Sequence, residues 1–564
     1  MTSESGRYVV TFNGEIYNYL ELRETLTNYG YIFKTNTDTE VLLNSWDFWG
    51  KESISKFKGM FAFAIYDLKK KELNLVRDSF GIKPIYYKLD KNFQFLSFSS
   101  ELPSLLILSE EKTTLNKQAT FDYLIGKSYD LSQDTFFEEC KSLLPGQLIH
   151  FDLNDLRNFK QIQWWHPKVA EEKYICFNSA KEIIREKFLS NIKYHMRSDV
   201  PIGATLSGGI DSSSVVCAMR YLEPKLDINT FTYLAKDNNY NEEFWADEIN
   251  NFVGAIPHKI SIDNNKLISE LDDLIALQGA PFNSSSAYAQ YKVYEMIRQT
   301  KIKVVLDGQG ADEILAGYDY YIGFRIRSLL ASGKYIASAN LLTNWSNKSL
   351  RSKRSILMNL ISSFSTNKLM NGGKSFVRKY ITPVIENKWF KDNGIINLSD
   401  YDLFEFNCEN PNERALIIEL AKSISTKGLS HLLRHLDRNS MHWSIESRVP
   451  FLSNDFVDFC FKLPEEFLIS NEGESKYIFR EAMRGIVPNK ILDRREKIGF
   501  FTPENQIIKD LLPSFRKEIN NYFDLPFLNK KYLNSVKDNN IKISSNLWRL
   551  IIFCKWYKIF MPSI

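Results

Sequence analysis

Hydrophobic and polar positions follow two different periods along this chain of 564 residues. Near the start, apolar side chains come in short runs, Met60–Tyr66 and Leu73–Asp78, which are separated by a lysine-rich turn. Runs of this kind are typical of two paired strands, and Tyr8–Phe12 predicts a further strand. The pattern therefore predicts an α+β antiparallel sandwich domain over residues 1–153, followed by a connector over residues 154–178.

From residue 179 onward, helical stretches alternate with short apolar strands. Strands are predicted at Pro201–Leu206, Thr230–Leu234 and Ile302–Leu306, and helical patterns lie between them. Alternation of this kind favours an α/β fold with a parallel sheet, here over residues 179–564. The apolar tail, Leu547–Met561, is interrupted by charged residues and therefore predicts a docked helix rather than a membrane anchor.

The segment that follows the first of these strands carries the strongest chemical signal. Ser207–Gly209 predicts a tight turn between the strand, which ends at Leu206, and a helix that begins near Asp211. Unpaired backbone N–H groups and the positive end of a helix dipole then meet at one point, which favours an anion such as a phosphate. A flexible Ser/Gly linker is disfavoured, because an apolar strand and an apolar helix flank the turn.

A second loop, Asp307–Glu313, follows the strand at Ile302–Leu306. Ligands of open parallel sheets bind at the carboxyl ends of the strands, so we expect the two loops to converge on one ATP molecule. Asp211 and Asp312, one from each loop, are the expected Mg²⁺ ligands. A core carboxylate paired with a cation is the alternative for Asp312. The residues expected to bind the nucleotide or its pyrophosphate are Leu206, Ser207, Gly208, Gly209, Asp211, Ser212, Asp307 and Gly308.

The composition of the chain argues against several classes of binding partner and site. The net charge is only +4, from 72 basic and 68 acidic residues, which gives no support for nucleic-acid binding. Six cysteines are scattered without paired spacing, so neither a disulfide framework nor a zinc site is predicted. The first residues lack the apolar core of a signal peptide, and no stretch approaches the about 18 apolar residues of a membrane span. We expect a cytoplasmic protein, with small-molecule partners and a homodimer as the candidate assembly.

Eight motifs occur in the order found in one enzyme family. Those of the first half resemble the glutaminase domain of glutamine-dependent asparagine synthetases, and those of the second half resemble the synthetase domain. The motifs are Phe12–Asn18, Thr37–Glu40, Arg77–Tyr87, Phe98–Glu101, Leu206–Ser213, Leu306–Glu313, Glu446–Leu452 and Arg495–Phe500. The resemblance implies a class II glutamine amidotransferase domain of the N-terminal-nucleophile type and an ATP-pyrophosphatase (PP-loop) synthetase domain. It also implies conversion of L-aspartate to L-asparagine through an acyl-adenylate, with release of AMP and pyrophosphate.

The resemblance further implies roles for single residues. Lys497 matches the family lysine that stabilises charge on the α-phosphate. Gln309 stands where many members carry a glutamate that is proposed to take a proton from ammonia, and an amide cannot do so near neutral pH. Glu446, water or a phosphate oxygen is then expected to take that proton, although Glu446 could instead form a structural ion pair with Arg448. The positions that match the family's glutamine-binding residues are Asn13, Gly14, Glu15 and Asp38.

The start of the chain departs from the family. The family's nucleophile is a cysteine that becomes the first residue, whereas residue 2 here is Thr and the first cysteine is Cys140. The family segment that precedes the Phe12–Asn18 motif, with its glutamine-binding arginine, has no counterpart. We therefore expect an N-terminally truncated glutaminase domain with exposed sheet edges and a synthetase that uses free ammonia only. Thr2 as an N-terminal nucleophile is a disfavoured alternative.

Three other interpretations stay open. The chemistry could act on another carboxylate, such as a sugar acid of surface-polysaccharide synthesis, or the chain could be a non-catalytic regulatory or binding remnant. His431 and His435, four residues apart, suggest a metal hydrolase, but no zinc motif surrounds them and we expect core or surface histidines. Between Tyr321 and Lys427 only helical patterns and basic clusters such as Lys348–Arg354 are visible, and these indicate a solvated helical face.

Overall fold

The computed structural model describes residues 1–108, 112–171, 174–235, 242–348, 356, 359–361, 363–364, 408, 410–495, 502–522, 525, 528–538 and 543–561. Lys497 lies outside the described residues, as does most of the basic cluster at Lys348–Arg354. Among the described residues, no helix has both the length and the apolar character that crossing a bilayer requires.

The N-terminal part contains two antiparallel sheets, as predicted. Its strands are β1 (Tyr8–Ile16), β2 (Gly59–Asp67), β3 (Glu72–Arg77), β4 (Tyr86–Leu89), β5 (Leu96–Ser99), β6 (Lys141–Ser142), β7 (Gln147–Asp152) and β8 (Phe159–Gln163). One sheet has the order β1-β2-β3-β7-β8, and the other has the order β5-β4-β6. The helices of this part are α1 (Tyr19–Asn28), α2 (Asp38–Trp49), α3 (Leu102–Leu108) and α4 (Lys117–Leu124).

Strand β2 shows why the larger sheet is buried on both faces. Phe61 and Phe63 point into the core formed with α1 and α2, whereas Ala62 and Ala64 point into a second core formed with the smaller sheet. Strand β8 lies inside the segment predicted as a connector and pairs antiparallel with β7. The hydrophobic pattern does not reveal β8, because its middle side chains are exposed.

The C-terminal part contains a parallel sheet of five strands, which confirms the predicted change of architecture. The strands are β9 (Ile202–Thr205), β10 (Asn229–Leu234), β11 (Ile256–Ser261), β12 (Val304–Leu306) and β13 (Glu446–Arg448), in the order β11-β10-β9-β12-β13. The sequence pattern predicted β9, β10 and β12. It missed β11, an edge strand with mostly exposed side chains, and β13, which has only three residues.

Helices surround this sheet and continue to the end of the described chain. They are α5 (Phe177–His195), α6 (Ile210–Leu222), α7 (Glu243–Val253), α8 (Asn264–Gln278), α9 (Ser286–Arg298), α10 (Ala311–Ile314), α11 (Tyr321–Ala331), α12 (Tyr335–Lys348), α13 (Ala415–Ser425), α14 (Leu429–His442), α15 (Asn454–Cys460), α16 (Glu465–Leu468), α17 (Tyr477–Ala482), α18 (Asn489–Leu492), α19 (Glu504–Glu518), α20 (Lys530–Lys537) and α21 (Ser545–Phe560). The tail is the docked helix that was predicted: Trp548 and Trp556 of α21 are fully buried.

Helix α14 joins the two parts of the molecule. Its Asp437 accepts a hydrogen bond from the ammonium of Lys83, 3.0 Å away, and both side chains are almost fully buried. The guanidinium of Arg434 on the same helix lies 2.6 Å from a carboxylate oxygen of Asp130. Breaking a buried pair leaves an uncompensated charge, so these contacts favour one relative position of the two parts.

Candidate functional site

The turn between β9 and α6 has the geometry expected of an anion site. Gly208 has a φ of +73°, and a Cβ there would lie closer than 3 Å to the backbone of α7, so only glycine fits. The backbone N–H of Ser207 donates to Oγ of Ser212 at 3.1 Å, which draws the turn against the first turn of the helix. The amino terminus of a 13-residue helix therefore opens beside two serine hydroxyls.

The second predicted loop lies directly beside this turn, because β12 and β9 are neighbouring parallel strands. The hydroxyl of Thr205, the last residue of β9, donates to Oδ2 of Asp307 at 2.7 Å. The backbone N–H of Gln309 donates to the other oxygen of Asp307 at 2.9 Å. A Cβ on Gly308 would lie 3.0 Å from the backbone nitrogen of Ser212, so the loop packs tightly on the start of α6. The expected convergence of the two loops is thus present.

A cavity of about 380 Å³ opens where the two loops meet. Helix α9 and the end of β10 form further walls, together with Glu242, Tyr318 and Leu432. The sequence-predicted residues that line it are Leu206, Ser207, Asp211, Ser212, Asp307, Gly308, Gln309 and Asp312. Gly208 and Gly209 belong to the adjoining turn. We call this space the nucleotide-side cavity.

Lys476 is the residue of this site that the sequence did not reveal. Its ammonium lies 2.5 and 2.6 Å from the two carboxylate oxygens of Asp211, and 2.7 Å from Oδ1 of Asp312. Burial opposes the charged form, but the two aspartates outweigh it and raise the pKa of Lys476. Asp312 thus pairs with a cation, as the alternative for this residue has it, and it also lines the cavity in which it was expected as a Mg²⁺ ligand. No local signal marks Lys476, which lies in the left-handed region at the start of α17.

Gly317 explains how this triad is held. A Cβ on Gly317 would overlap Oδ1 of Asp312 and Cε of Lys476. The chain therefore passes the charged groups at a distance that only glycine allows. The lack of a side chain at Gly317 thus leaves the space that both groups occupy.

The structure does not bring Glu446 to the nucleotide-side cavity. Glu446 is the first residue of β13 and pairs in register with Val304, the first residue of β12, whereas the cavity lies at the other end of these strands. Its carboxylate accepts a hydrogen bond from Nε of Arg448 at 2.6 Å, which is the structural ion pair considered as the alternative. Strand direction, which the motif alone does not give, is the reason for the difference.

Glu446 instead lines a second cavity of about 380 Å³ at the junction of the two parts. Asn13 and Gly14 of β1 line the same space, together with Lys83 and Lys303. We call this space the junction cavity. Two of the four residues that match glutamine-binding positions thus face the synthetase part directly.

The other two, Glu15 and Asp38, form an acidic group near the junction cavity. The backbone N–H of Ile16 donates to Oδ2 of Asp38 at 2.9 Å. Burial, together with the negative charges of Asp38 and Glu446, raises the pKa of Glu15 to about 7. Burial also raises the pKa of Asp38. This acidic group therefore holds a proton at a pH where ordinary carboxyl groups are ionised.

The first three residues form an added strand segment. The amino group of Met1 donates to the backbone oxygen of Val10 at 2.9 Å, and Thr2 forms an antiparallel bridge with Val9. Thr2 is not among the residues that line the junction cavity, and Cys140, the first cysteine, is buried. Neither residue is positioned as a nucleophile beside Asn13.

The histidine pair takes part in packing. His435 is buried, with Nε2 hydrogen-bonded to the hydroxyl of Tyr129 at 2.9 Å and Nδ1 to the amide oxygen of Gln278 at 2.7 Å. The ring of His431 packs 5.0 Å from that of Tyr129. In the described part of the chain, no group of three or more His, Cys, Asp or Glu side chains could hold a metal ion. These contacts are those of core histidines.

Comparisons with known proteins agree with both halves of this description. The sequence profile of the asparagine synthase family matches residues 184–558, and that of a glutamine amidotransferase domain matches residues 1–165. The second match begins at residue 1, so it gives no support to the expectation of a lost N-terminal segment.

Individual relatives cover most of the chain. Asparagine synthetase [glutamine-hydrolyzing] 1 of Bacillus subtilis is 28% identical over 99% of this chain and 87% of its own length. Asparagine synthetase [glutamine-hydrolyzing] 3 of the same organism is 26% identical over 88% of this chain and 76% of its own length. A protein named amidase chry2, from Gibberella zeae, is 24% identical over 88% of this chain and 77% of its own length.

Proposed function

Because the chain belongs to the asparagine synthase family, we propose that it is a carbon–nitrogen ligase that converts L-aspartate to L-asparagine at the expense of ATP. The observation that carries this proposal is the nucleotide-side cavity. There, the turn at Ser207–Gly209 and the start of α6 adjoin two aspartates that share the ammonium of Lys476. Anion-binding backbone groups and a buried cation thus lie close together, as the proposed cleavage of a triphosphate requires.

In the first proposed step, the β-carboxylate of aspartate attacks the α-phosphorus of ATP. A bond forms between carboxylate oxygen and phosphorus, and the bond to pyrophosphate breaks. The pyrophosphate is held by the N–H groups at the start of α6 and by the hydroxyls of Ser207 and Ser212. Lys476 and, as the family resemblance implies, Lys497 offset the negative charge that develops on the α-phosphate.

The residues at the cavity fit Mg²⁺ as the accompanying ion. Asp211 and Asp312 supply hard carboxylate oxygens close to each other, and Mg²⁺ would share these carboxylates with the ammonium of Lys476, which contacts both. Bound there, Mg²⁺ would neutralise part of the charge on the pyrophosphate oxygens. Asp211 and Asp312 are therefore the proposed ligands.

In the second proposed step, ammonia attacks the carbonyl carbon of the acyl-adenylate and AMP leaves. Gln309 lines the cavity, but its amide cannot take up the proton that the nitrogen must lose. We propose free ammonia as the nitrogen source. The described residues that line the junction cavity include Asn13 and Gly14, and none of them is a cysteine that could attack a glutamine amide.

Another acceptor carboxylate is the second candidate. The relative of 24% identity is named an amidase rather than a synthetase, so sequence similarity at this distance does not fix the acceptor. A sugar acid, or another amino acid with a side-chain carboxylate, would undergo the same two steps. The residues of the nucleotide-side cavity would keep their roles.

The proposal is tested by measuring pyrophosphate release from Mg·ATP with L-aspartate, with either ammonium chloride or L-glutamine, and by assaying asparagine. We expect asparagine with ammonium and none with glutamine after free ammonia has been removed. Asp211→Asn should abolish pyrophosphate release, whereas the matched control Asp455→Asn, on an exposed ion pair, should not. Asparagine formed from glutamine would refute the nitrogen source, and no release with aspartate by a protein that binds ATP would refute the acceptor.

A further inference from the structure

We propose that Asp307 is the proton acceptor of the amide-forming step, a role that rests on the proposed function. Asp307 lines the nucleotide-side cavity and directly follows β12. It lies two residues before Gln309, the position whose amide cannot take a proton. Glu446, the carboxylate that the sequence offered for this task, lies in the junction cavity instead.

The carboxylate of Asp307 is held firmly and partly open to the cavity. Each of its oxygens accepts one hydrogen bond, Oδ2 from the hydroxyl of Thr205 at 2.7 Å and Oδ1 from the backbone N–H of Gln309 at 2.9 Å. Two fixed donors on different elements orient the group, and the second lone pair of each oxygen stays available. Such a group can receive a proton without rearranging.

Asp307 differs from the other carboxylates that line the nucleotide-side cavity in its ion pairs. Asp211 and Asp312 share Lys476, and Glu242 lies 3.0 Å from Nη2 of Arg494. Among the described residues, no lysine or arginine forms an ion pair with Asp307. Without such a partner among these residues, the carboxylate of Asp307 repels the phosphates of a nucleotide, which argues against phosphate binding as its role.

The groups that pack against Asp307 do not compensate its charge either. Arg448 on the neighbouring strand is the nearest candidate in the sheet, and its backbone oxygen accepts from the N–H of Asp307 at 2.8 Å. The guanidinium of Arg448, however, binds Glu446 and the backbone oxygens of His195 and Arg197. Tyr294 on α9 donates its hydroxyl to Ser447. Burial raises the pKa of Asp307, although the donors Thr205 and Gln309 oppose this, so it is a better base than an ordinary aspartate.

In the proposed step, ammonia adds to the acyl-adenylate and Asp307 takes up the proton that the nitrogen loses. The lone pair of ammonia forms the new C–N bond at the carbonyl carbon, the C=O π pair moves onto the carbonyl oxygen, and the nitrogen becomes positively charged. One N–H proton passes to a carboxylate oxygen of Asp307. The C=O bond then re-forms while the bond between the carbonyl carbon and the phosphate oxygen breaks, and AMP leaves with that electron pair. Asp307 afterwards releases the proton to solvent.

The experiment separates the two partial reactions in the full chain. Exchange of labelled pyrophosphate into ATP in the presence of aspartate reports adenylation, and asparagine formed from ammonium chloride reports the complete reaction. We expect Asp307→Asn to lower the ratio of amide formation to exchange by about 100-fold, the usual scale of a lost general base. Glu242→Gln, the matched control at a cavity carboxylate that has a cation, should leave this ratio unchanged.

Two further variants give readouts that a structural role would not move. Gln309→Glu in the Asp307→Asn background restores a carboxylate two residues away and should recover part of the ratio. Thr205→Val removes a hydrogen bond that favours the charged form of Asp307, so the acid limb of the pH profile for amide formation should move to higher pH. This second variant tests the proposal even if Asp307→Asn does not fold.

Opposite results would overturn the role. If exchange and amide formation fell in parallel with a raised KM for ATP, Asp307 would be a nucleotide-binding group. An unchanged ratio, or an acid limb unaffected by Thr205→Val, would exclude it as the base. If the wild-type chain shows no pyrophosphate exchange with aspartate or another carboxylate, the proposed function itself is refuted. A lower ratio of amide formation to exchange in a variant, by contrast, concerns only the role of Asp307.

Discussion

The nucleotide-side cavity and the junction cavity have similar volumes, and acidic side chains border both. The two sites differ in how these acidic side chains are paired with cations. In the nucleotide-side cavity, Lys476 contacts Asp211 and Asp312 together. Near the junction cavity, Arg448 pairs with Glu446 alone, and burial raises the pKa of Glu15 to about 7. The two sites therefore differ in their electrostatics, because one cation is held between two acids in the first, whereas burial dominates the pKa of Glu15 near the second.

Removing the shared cation should have the largest effect. Lys476→Met leaves two carboxylates facing each other in a buried site, so we expect a loss of about 3–5 kcal/mol in the free energy of unfolding. Pyrophosphate exchange should fall at least about 100-fold, because a preorganised positive charge is lost. Thermal unfolding and the exchange assay measure the two effects.

The control for this change is Lys490→Met, at a lysine whose side chain is 51% exposed and pairs with Glu248. Exposed ion pairs contribute about 0–1 kcal/mol, so little should change. Adding Asp211→Asn and Asp312→Asn to Lys476→Met should restore stability but not exchange. A Lys476→Met protein as stable as wild type would contradict the shared-cation account.

Displacing the triad by a single methyl group should have the next largest effect. Gly317→Ala introduces a Cβ that overlaps Asp312 and Lys476, so both groups must shift. We expect exchange to fall about 10- to 100-fold, since a displacement of about 1 Å can cost that much. Overpacking should lower the stability by only about 1–3 kcal/mol.

Gly333→Ala is the matched control, because nothing lies within 4 Å of a Cβ there and the residue has a φ of +70°. It should cost about 1 kcal/mol through backbone strain and leave exchange unchanged. Equal exchange in the Gly317→Ala and wild-type proteins would mean that the triad tolerates displacement.

The third effect is expected at the junction, where the substitution should raise the stability instead of lowering it. The pKa of Glu15 is raised in the folded state, so the charged form is disfavoured there and stability falls as pH rises from about 4.5 to above 7. Glu15→Gln removes this penalty. At pH 8 the variant should exceed wild type by at most about 3 kcal/mol, and near pH 4 the two should be equal.

Urea unfolding at the two pH values measures this difference. Glu21→Gln is the matched control, because the guanidinium of Arg197 lowers the pKa of Glu21 and the side chain is half-exposed. Its loss should destabilise the protein at pH 8 by less than about 1 kcal/mol. A Glu15→Gln protein less stable than wild type at pH 8 would show that Glu15 is ionised and paired.

The sequence by itself determined the change from antiparallel to parallel architecture, the turn at Ser207–Gly209 and the meeting of its loop with that at Asp307. These features depend on local periodicity, on glycine geometry and on the rule that parallel strands present their carboxyl ends together. The buried strand β9 and the docked helix α21 carried enough apolar residues to be recognised.

Only the tertiary structure decided which charges meet. Lys476 is 164 residues from Asp312 along the chain, and nothing local connects the two, whereas packing brings them to 2.7 Å. The end of β13 at which Glu446 lies follows from strand direction. The contacts of Arg448 explain why, among the described residues, this arginine does not pair with Asp307. Electrostatic interactions depend on distance in space, and a hydrophobic pattern contains no information about distances between remote charged side chains.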